Sequence, residues 1–240
     1  MKRTVIIVAG GKGMRMGGGM PKQFVPLQGK PVLMHTLEVF YQWDAAVEIL
    51  LVIPEEQDSY WRMLCKELDC HVPHRIVYGG DTRFHSVRNG LKNVTEGEGI
   101  IAVHDGVRPF VSREVISSCF AIAGAFGAAV PAVPMIESVR EINGDDSRPF
   151  DRNRLCIVQT PQVFRADLLR RAYGQPYDER FTDDASLVEA TGHAVRLVDG
   201  NRENIKITTP VDLKCAEFLL AEKTKEMEKE NRTGEFEFWI

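Results

Sequence analysis

The chain has 240 residues, 44% of them apolar, with a formal net charge of −4 at pH 7 and a pI near 5.9. The length and apolar content suit one α/β domain, whereas the charge provides no general attraction to nucleic acid or to an anionic membrane. Five cysteines without a Cys-x-x-Cys pair, and no apolar run approaching ~20 residues, predict a cytoplasmic protein without a disulfide framework or a membrane span.

The first predicted strand is the apolar run 4–8, which opens into a glycine loop with the sequence VAGGKGMRM at 8–16, and PKQF follows at 21–24. Backbone N–H groups of such a loop can approach phosphate oxygens while its cations supply positive charge. The loop therefore predicts a site for a nucleoside triphosphate. A Walker A loop is excluded because Gly13 follows Gly11-Lys12, and the dinucleotide fingerprint is excluded because residue 16 is methionine.

The next part of the chain alternates between amphipathic stretches and apolar, β-branched runs. The stretches predict helices at 31–40, 55–68, 82–93 and 113–126, and the runs predict strands at 48–53, 76–78 and 100–103. Such an alternation is typical of a parallel sheet covered by helices. Asp81 is the predicted N-cap of the third helix, which places Gly79-Gly80 at a strand-to-helix corner, where ligands of parallel sheets bind.

The strand at 100–103 leads into the segment VHDGVRP at 103–109. An aspartate at the carboxyl end of a parallel strand is placed to bind Mg²⁺, which prefers oxygen ligands and bridges phosphates, and Asp105 has that position. The alternative is a turn-forming role, since Gly106 and Pro109 are turn residues. His104 is interpreted as a packing or hydrogen-bonding residue, because a phosphate nucleophile needs no general base.

The alternation of helices and strands stops at 134–150. This segment has the turn-forming residues of a hairpin and few residues suited to a core, and it predicts a protruding arm. The later part predicts a strand at 154–158, helices at 167–173 and 184–189, strands at 195–198 and 205–207, and a terminal helix opened by Pro210. Lys206 is expected to face away from its strand neighbours. We expect one domain over 1–222 and a charged tail over 223–240.

These motifs, together with QTPQ at 159–162, TDDA at 182–185 and GNRENIKIT at 200–208, resemble the 2-C-methyl-D-erythritol 4-phosphate cytidylyltransferases, a family of sugar-phosphate cytidylyltransferases. The resemblance covers about residues 5–219. It implies a Rossmann-like, mostly parallel sheet flanked by helices, with a β-arm that interlocks two subunits of a homodimer. It also implies the reaction of CTP with a sugar phosphate, assisted by Mg²⁺ or another divalent cation.

The resemblance further implies roles for individual residues. Arg15 and Lys22 match residues that grip the triphosphate. Arg152 and Lys206 match residues that position the acceptor phosphate, with Arg152 donated across the dimer. The matching substrate-binding positions are Ala9, Gly10, Gly11, Gly13, Gly80, Asp81, Ser86, Asp105, Arg108, Ser138, Thr160 and Thr182, and Asp105 is also the predicted metal ligand.

Two departures from the family pattern, Gly106-Val107 after Asp105 and Glu137-Ser138 in the arm, are conservative. Two alternatives stay open. A ribitol-5-phosphate cytidylyltransferase would share the glycine loop, PKQF, HDxVRPF and QTPQ, and acceptor choice depends on a few contacts worth ~1 to 3 kcal/mol each. A non-catalytic CTP-binding module would retain the base pocket without the chemistry.

Overall fold

The computed structural model describes residues 1–11, 20–95, 97 and 99–236. The strands are β1 (Lys2–Val8), β2 (Pro26–Leu27), β3 (Lys30–Pro31), β4 (Glu48–Ile53), β5 (Arg75–Tyr78), β6 (Gly99–Asp105), β7 (Ala128–Pro134), β8 (Val139–Asn143), β9 (Asp146–Phe150), β10 (Cys156–Val158), β11 (Gln162–Arg165) and β12 (Arg196–Asp199). The helices are α1 (Val32–Trp43), α2 (Asp58–Glu67), α3 (Arg83–Lys92), α4 (Arg113–Phe126), α5 (Ala166–Tyr173), α6 (Asp184–Glu189) and α7 (Pro210–Phe236).

The central sheet confirms the predicted α/β architecture with mostly parallel strands. β1 pairs in parallel with β4 and β6, and β5 continues the sheet beyond β4. On the other side of β6, the antiparallel β11 separates it from β7. β12 pairs in parallel with one side of β7, and β10 and β11 follow one another along its other side. Across the sheet the order is therefore β12, β7, β11, β6, β1, β4 and β5. β10 lies beside β7 on the same side as β11.

The sheet is buried on both faces because helices cover it on each side. Alternate side chains of a strand point to opposite faces, and β1 shows this directly. Val5 and Ile7 pack in the layer formed with α1, α2 and α4, whereas Ile6 packs in the layer formed with α3, α5 and α6. The near-continuous apolar sequence of β1 thus fills two cores, and the carboxyl ends of β1, β4, β5 and β6 are held at one edge.

Two details differ from the expectations drawn from the sequence. The strand predicted at 205–207 is wrong: this segment lies beside the turn after β6 rather than beside a strand, and it is tied to that turn by the Ile207 N–H donating to the Val107 carbonyl at 3.0 Å. The N-cap of α3 is Thr82 rather than Asp81, since the Thr82 hydroxyl accepts from the His85 N–H.

The segment 134–150 contains the hairpin of β8 and β9, paired from Val139 with Phe150 to Asn143 with Asp146. Its residues are mostly exposed, as the lack of core character in the sequence predicts. Within the described residues, no helix is long and apolar enough to cross a membrane.

Candidate active site

A cleft opens at the edge of the sheet where β1, β5 and β6 end. Carboxyl ends of parallel strands are the usual position of ligands in such folds. The cleft contains three basic and two acidic side chains among otherwise small or polar residues. Its lining consists of Val8, Ala9, Gly10, Gly11, Lys22, Gln23, Gly80, Asp81, Thr82, Arg83, Ser86, Asp105, Val107 and Lys206.

Lys22 reaches the cleft from a short 3₁₀ turn, Lys22–Phe24. The turn is anchored to α2: the Gln23 amide nitrogen donates to the Gln57 side chain at 2.7 Å, and the Phe24 ring stacks on Trp61 with centroids 6.1 Å apart. A Cβ at Gly11 would lie 2.9 Å from Cε of Lys22. Glycine at position 11 therefore leaves room for the lysine side chain to run along the loop.

The corner between β5 and α3 presents backbone groups to the cleft. Ser86 is buried, and its hydroxyl accepts from the Gly80 N–H at 3.1 Å. A Cβ at Gly80 would lie 2.6 Å from Cβ of His85, and one at Gly79 would lie 2.9 Å from Oγ of Ser86. The two glycines thus allow the first turn of α3 to pack closely against the end of β5.

Arg83, which the sequence analysis missed, also lines the cleft from the first turn of α3. Its guanidinium lies 2.6 Å from a carboxylate oxygen of the fully buried Asp184, and the Tyr173 hydroxyl donates to the other oxygen at 2.5 Å. Burial lowers the pKa of Arg83, but the attraction of Asp184 outweighs it and raises the pKa overall. The sequence offers one indication of Arg83. A cation in the first turn of a helix is disfavoured by the helix dipole, so its presence there indicates a stabilising partner elsewhere.

Asp105, at the end of β6, is held between two cations. One of its oxygens, Oδ2, lies 3.1 Å from Nζ of Lys206 and 3.1 Å from Nε of Arg108. Burial raises the pKa of Asp105, but Lys206, Arg83 and Arg108 together hold it well below its usual range. Asp105 is therefore ionised, and the Lys206 side chain, 42% exposed, carries its charge to the cleft surface.

A buried chain of hydrogen bonds supports Asp105 from behind. The Asp105 N–H donates to the Thr160 hydroxyl at 3.1 Å, and Nδ1 of His104 lies 3.0 Å from that same hydroxyl. The Arg108 carbonyl, 3.0 Å from Nε2 of His104, can only accept. His104 therefore carries its proton on Nε2 and accepts from Thr160. Burial lowers the pKa of His104 to about 4, which supports its interpretation as a hydrogen-bonding residue.

The structure brings together most of the described residues that the sequence analysis selected. Those lining the cleft are Ala9, Gly10, Gly11, Lys22, Gly80, Asp81, Ser86, Asp105 and Lys206. Arg108 and Thr160 lie behind it, since the Arg108 guanidinium bonds to Asp105 and to the Asn204 carbonyl, and the Thr160 hydroxyl is buried.

Three other selected residues do not line the cleft. Ser138 is exposed near the β8–β9 hairpin, Thr182 is exposed before α6, and the Arg152 guanidinium donates to the Ile136 carbonyl. Gly13 and Arg15 lie outside the described residues.

The sheet and its cleft define an α/β nucleotide-binding protein whose site suits phosphate groups. A family model described as IspD, 2-C-methyl-D-erythritol 4-phosphate cytidylyltransferase, matches residues 3–222. The chain is 56% identical to the enzyme of that name from Phocaeicola vulgatus, over 92% of this chain and all of the relative, and 42% identical to that from Alkaliphilus metalliredigens, over 92% and 94%. The fold is similar to 4-diphosphocytidyl-2C-methyl-D-erythritol synthase from Anaerococcus prevotii, with TM-score 0.78, 28% identity and coverage of 92% and 98%. The chain belongs to the 2-C-methyl-D-erythritol 4-phosphate cytidylyltransferase family.

Proposed function

We propose that the chain transfers the cytidylyl group of CTP to 2-C-methyl-D-erythritol 4-phosphate, giving 4-diphosphocytidyl-2-C-methyl-D-erythritol and pyrophosphate for isoprenoid biosynthesis. Family membership over residues 3–222 supports this activity. The observation that carries the proposal at the level of chemistry is the cleft, in which Lys22, Lys206 and Asp105 meet the backbone of the glycine loop.

The reaction needs positioning and charge rather than a nucleophilic side chain. An oxygen of the acceptor phosphate attacks the α-phosphorus of CTP, a new P–O bond forms, and the bond to the β-phosphate oxygen breaks as pyrophosphate leaves. Because a phosphate monoester is already ionised near neutral pH, with a second pKa of about 6, no base has to remove a proton. The difficulty is the repulsion between two polyanions, which cations in the cleft offset.

We assign two lysines of the cleft to different substrates, one to CTP and one to the acceptor phosphate. Lys22, beside the glycine loop, binds the triphosphate and stabilises the charge that develops on the leaving pyrophosphate, together with Arg15. Lys206, held 3.1 Å from Asp105, positions the phosphate of the acceptor. The corner of Gly80, Asp81 and Ser86 binds the base, since its glycine backbone allows close approach.

Asp105 is the group that fits a divalent cation such as Mg²⁺. In the part of the chain that the structure describes, no group of three His, Cys, Asp or Glu side chains could hold a metal ion. Mg²⁺ is commonly held by only one or two carboxylates, with phosphates and waters completing its ligands, so the Asp105 carboxylate is sufficient when a polyphosphate is present. Such a cation, when bound, neutralises phosphate charge.

We further propose that the enzyme is a cytoplasmic homodimer whose arm, residues 134–150, completes the partner's site. Ser138 and Arg152 would then act on the acceptor bound in the other subunit's cleft, which agrees with their position away from the cleft of their own chain. All five cysteines are free thiols, as is usual in a reducing compartment.

The test measures pyrophosphate release from CTP and Mg²⁺ with methylerythritol 4-phosphate or ribitol 5-phosphate offered in parallel, and identifies the product by mass. We expect release with methylerythritol 4-phosphate, since the family and its named relatives favour that acceptor over ribitol phosphate. A reaction without acceptor reports CTP hydrolysis. Release with ribitol 5-phosphate alone would transfer the chain to polyol activation, and CTP binding without release would indicate a binding module.

A further inference from the structure

The C-terminus of α2 brings two cysteines together. The helix ends at Glu67, Leu68 caps it, and Asp69 follows in the left-handed region with φ of 52°. The Cys70 N–H then donates back to the Cys65 carbonyl at 2.9 Å. This is the hydrogen bond of a Schellman motif, in which the side chains at these two positions frequently contact each other. The backbone therefore places the Cys65 and Cys70 side chains side by side.

The two thiols are chemically unequal. The neighbouring Cys65 side chain lowers the pKa of Cys70, and the backbone of Val72 acts in the same direction, although burial opposes the shift. The same contact raises the pKa of Cys65 far above its usual range. The contact therefore favours the thiolate form of Cys70 and the protonated form of Cys65.

Both cysteines are half-buried rather than enclosed. Cys65 lines a surface groove together with Trp61, Arg62 and Lys66. The contrast is Cys119, which is buried in the core and whose pKa burial raises to about 12. Partly exposed thiols can react, whereas a buried structural thiol is inert. The end of α2 therefore combines two adjacent, partly exposed thiols, one of which lines a surface groove.

We propose that Cys65 and Cys70 form a redox-active dithiol that closes into an intramolecular disulfide by exchange with a small-molecule disulfide such as oxidised glutathione. The Cys70 thiolate attacks one sulfur of glutathione disulfide, the S–S bond breaks, and one glutathione leaves as a thiolate. Cys65 gives up its proton to this thiolate, its sulfur attacks the Cys70 sulfur, and the second glutathione leaves. The two cysteines lose two electrons and the proton of Cys65, and glutathione disulfide is reduced to one glutathione thiol and one glutathione thiolate.

Trypsin provides a direct test because Lys66 lies between the two cysteines. Cleavage after Arg62, Lys66 and Arg75 separates peptide 63–66, which contains Cys65, from peptide 67–75, which contains Cys70. The full-length protein is incubated with oxidised glutathione, denatured, alkylated and digested without reductant, and the peptides are identified by mass spectrometry. We expect peptides 63–66 and 67–75 to be recovered joined, and to separate after reduction.

Matched variants distinguish a dithiol from two independent thiols. In Cys65→Ser, no second sulfur can resolve the intermediate, so Cys70 should keep its glutathione. Cys215, an exposed thiol on α7, should keep its glutathione in the unaltered protein and so shows that the reagent acted. The proposal is overturned if peptides 63–66 and 67–75 are recovered separately while Cys215 is modified, whether Cys70 is alkylated or carries a lasting glutathione.

Discussion

Lys22 and Lys206 occupy the same cleft but have different surroundings. Lys206 is paired with a buried carboxylate, whereas Lys22 extends along Gly11 from a turn that α2 anchors. Groups that meet charge as it develops in the transition state contribute most to turnover. Because Lys22 lies beside the glycine loop, we expect it to be a cation that stabilises the leaving pyrophosphate.

Substitution of Lys22 by alanine is expected to lower kcat by ~10² or more, because one cation at the leaving group is lost. The measurement is the steady-state rate of pyrophosphate release at saturating CTP, with circular dichroism to verify the fold. Lys66→Ala, on the exposed surface of α2, is the matched control and should retain full turnover. Near-normal turnover of folded Lys22→Ala would remove Lys22 from the mechanism.

His104 makes stability depend on pH. Its pKa is 6.5 in the unfolded chain and about 4 in the fold, because burial disfavours the charged ring. Between these values the unfolded state binds more protons, so the free energy of unfolding falls as the pH is lowered through this window, by on the order of 3 kcal/mol in total. The contribution is fully present above pH 6.5 and lost below pH 4.

In His104→Gln, the amide can still donate to the Arg108 carbonyl but does not titrate. Urea unfolding from pH 7 to pH 4 should therefore show the wild type losing stability relative to this variant, with the difference developing between pH 6.5 and 4. His71→Gln, whose imidazole is 80% exposed, should follow the wild type throughout. Parallel curves for wild type and His104→Gln would contradict a buried, neutral His104.

Sequence patterns identified the cleft residues that belong to local motifs better than the one whose position depends on a distant partner. Glycines and lysines in named motifs were found because their chemistry is local to the motif. Arg83 was missed because its partner Asp184 lies 101 positions away, and this pairing depends on how α3 meets α6. The proton position on His104 likewise depends on Thr160, from a different strand connection.

At the scale of elements, the β5–α3 corner depends on a close approach that a side chain would block. A Cβ at Gly80 would lie 2.6 Å from Cβ of His85, which belongs to the first turn of α3 and has little freedom to move. Gly10 offers a matched comparison in the same cleft: the nearest described atom to its Cβ would be Oγ of Ser86 at 3.9 Å, an ordinary contact.

Gly80→Ala is accordingly expected to lower the free energy of unfolding by about 1 to 3 kcal/mol, as overpacking does, because α3 must shift away from β5. Gly10→Ala should stay within about 0.5 kcal/mol of the wild type, as substitutions that meet no close neighbour do. Both values come from urea denaturation. Equal destabilisation by the two substitutions would show that the corner is not held by this approach.

Elements with strong periodicity were predicted almost to the residue: α4 and α6 have the bounds that their patterns indicate. Failures occur where tertiary neighbours decide. The alternation at 205–207 correctly separates the buried Ile207 from the exposed face of Lys206, but a strand needs a neighbouring strand, and this segment has a turn beside it. The gap between β10 and β11 contains Pro161, which has no N–H for a sheet ladder, whereas the pairing of both strands with β7 is a tertiary feature that no local pattern encodes.

At the scale of the whole molecule, the arm and the cleft of one chain lie apart. Lys22 lines the cleft of its own chain, whereas Arg152 lies at the base of the exposed hairpin and donates to the Ile136 carbonyl. Large apolar side chains are exposed nearby, at Ile136, Ile142 and Ile157. Where such side chains form a contiguous patch, the patch marks a protein–protein interaction site. We therefore expect a homodimer in solution in which each cleft receives Arg152 from the other subunit.

Heterodimers distinguish this arrangement from one in which Arg152 serves its own chain. Lys22→Ala and Arg152→Ala chains are co-expressed with different tags and purified through both. If Arg152 acts across the dimer, one of the two sites contains both intact residues, so about half of the wild-type rate of pyrophosphate release should return, although each variant alone is nearly inactive.

A wild-type chain paired with the double variant gives the opposite result, since both sites then lack one residue. Activity in that second heterodimer with none in the first would place Arg152 in its own chain's site, and a monomeric mass by light scattering would exclude the dimer itself.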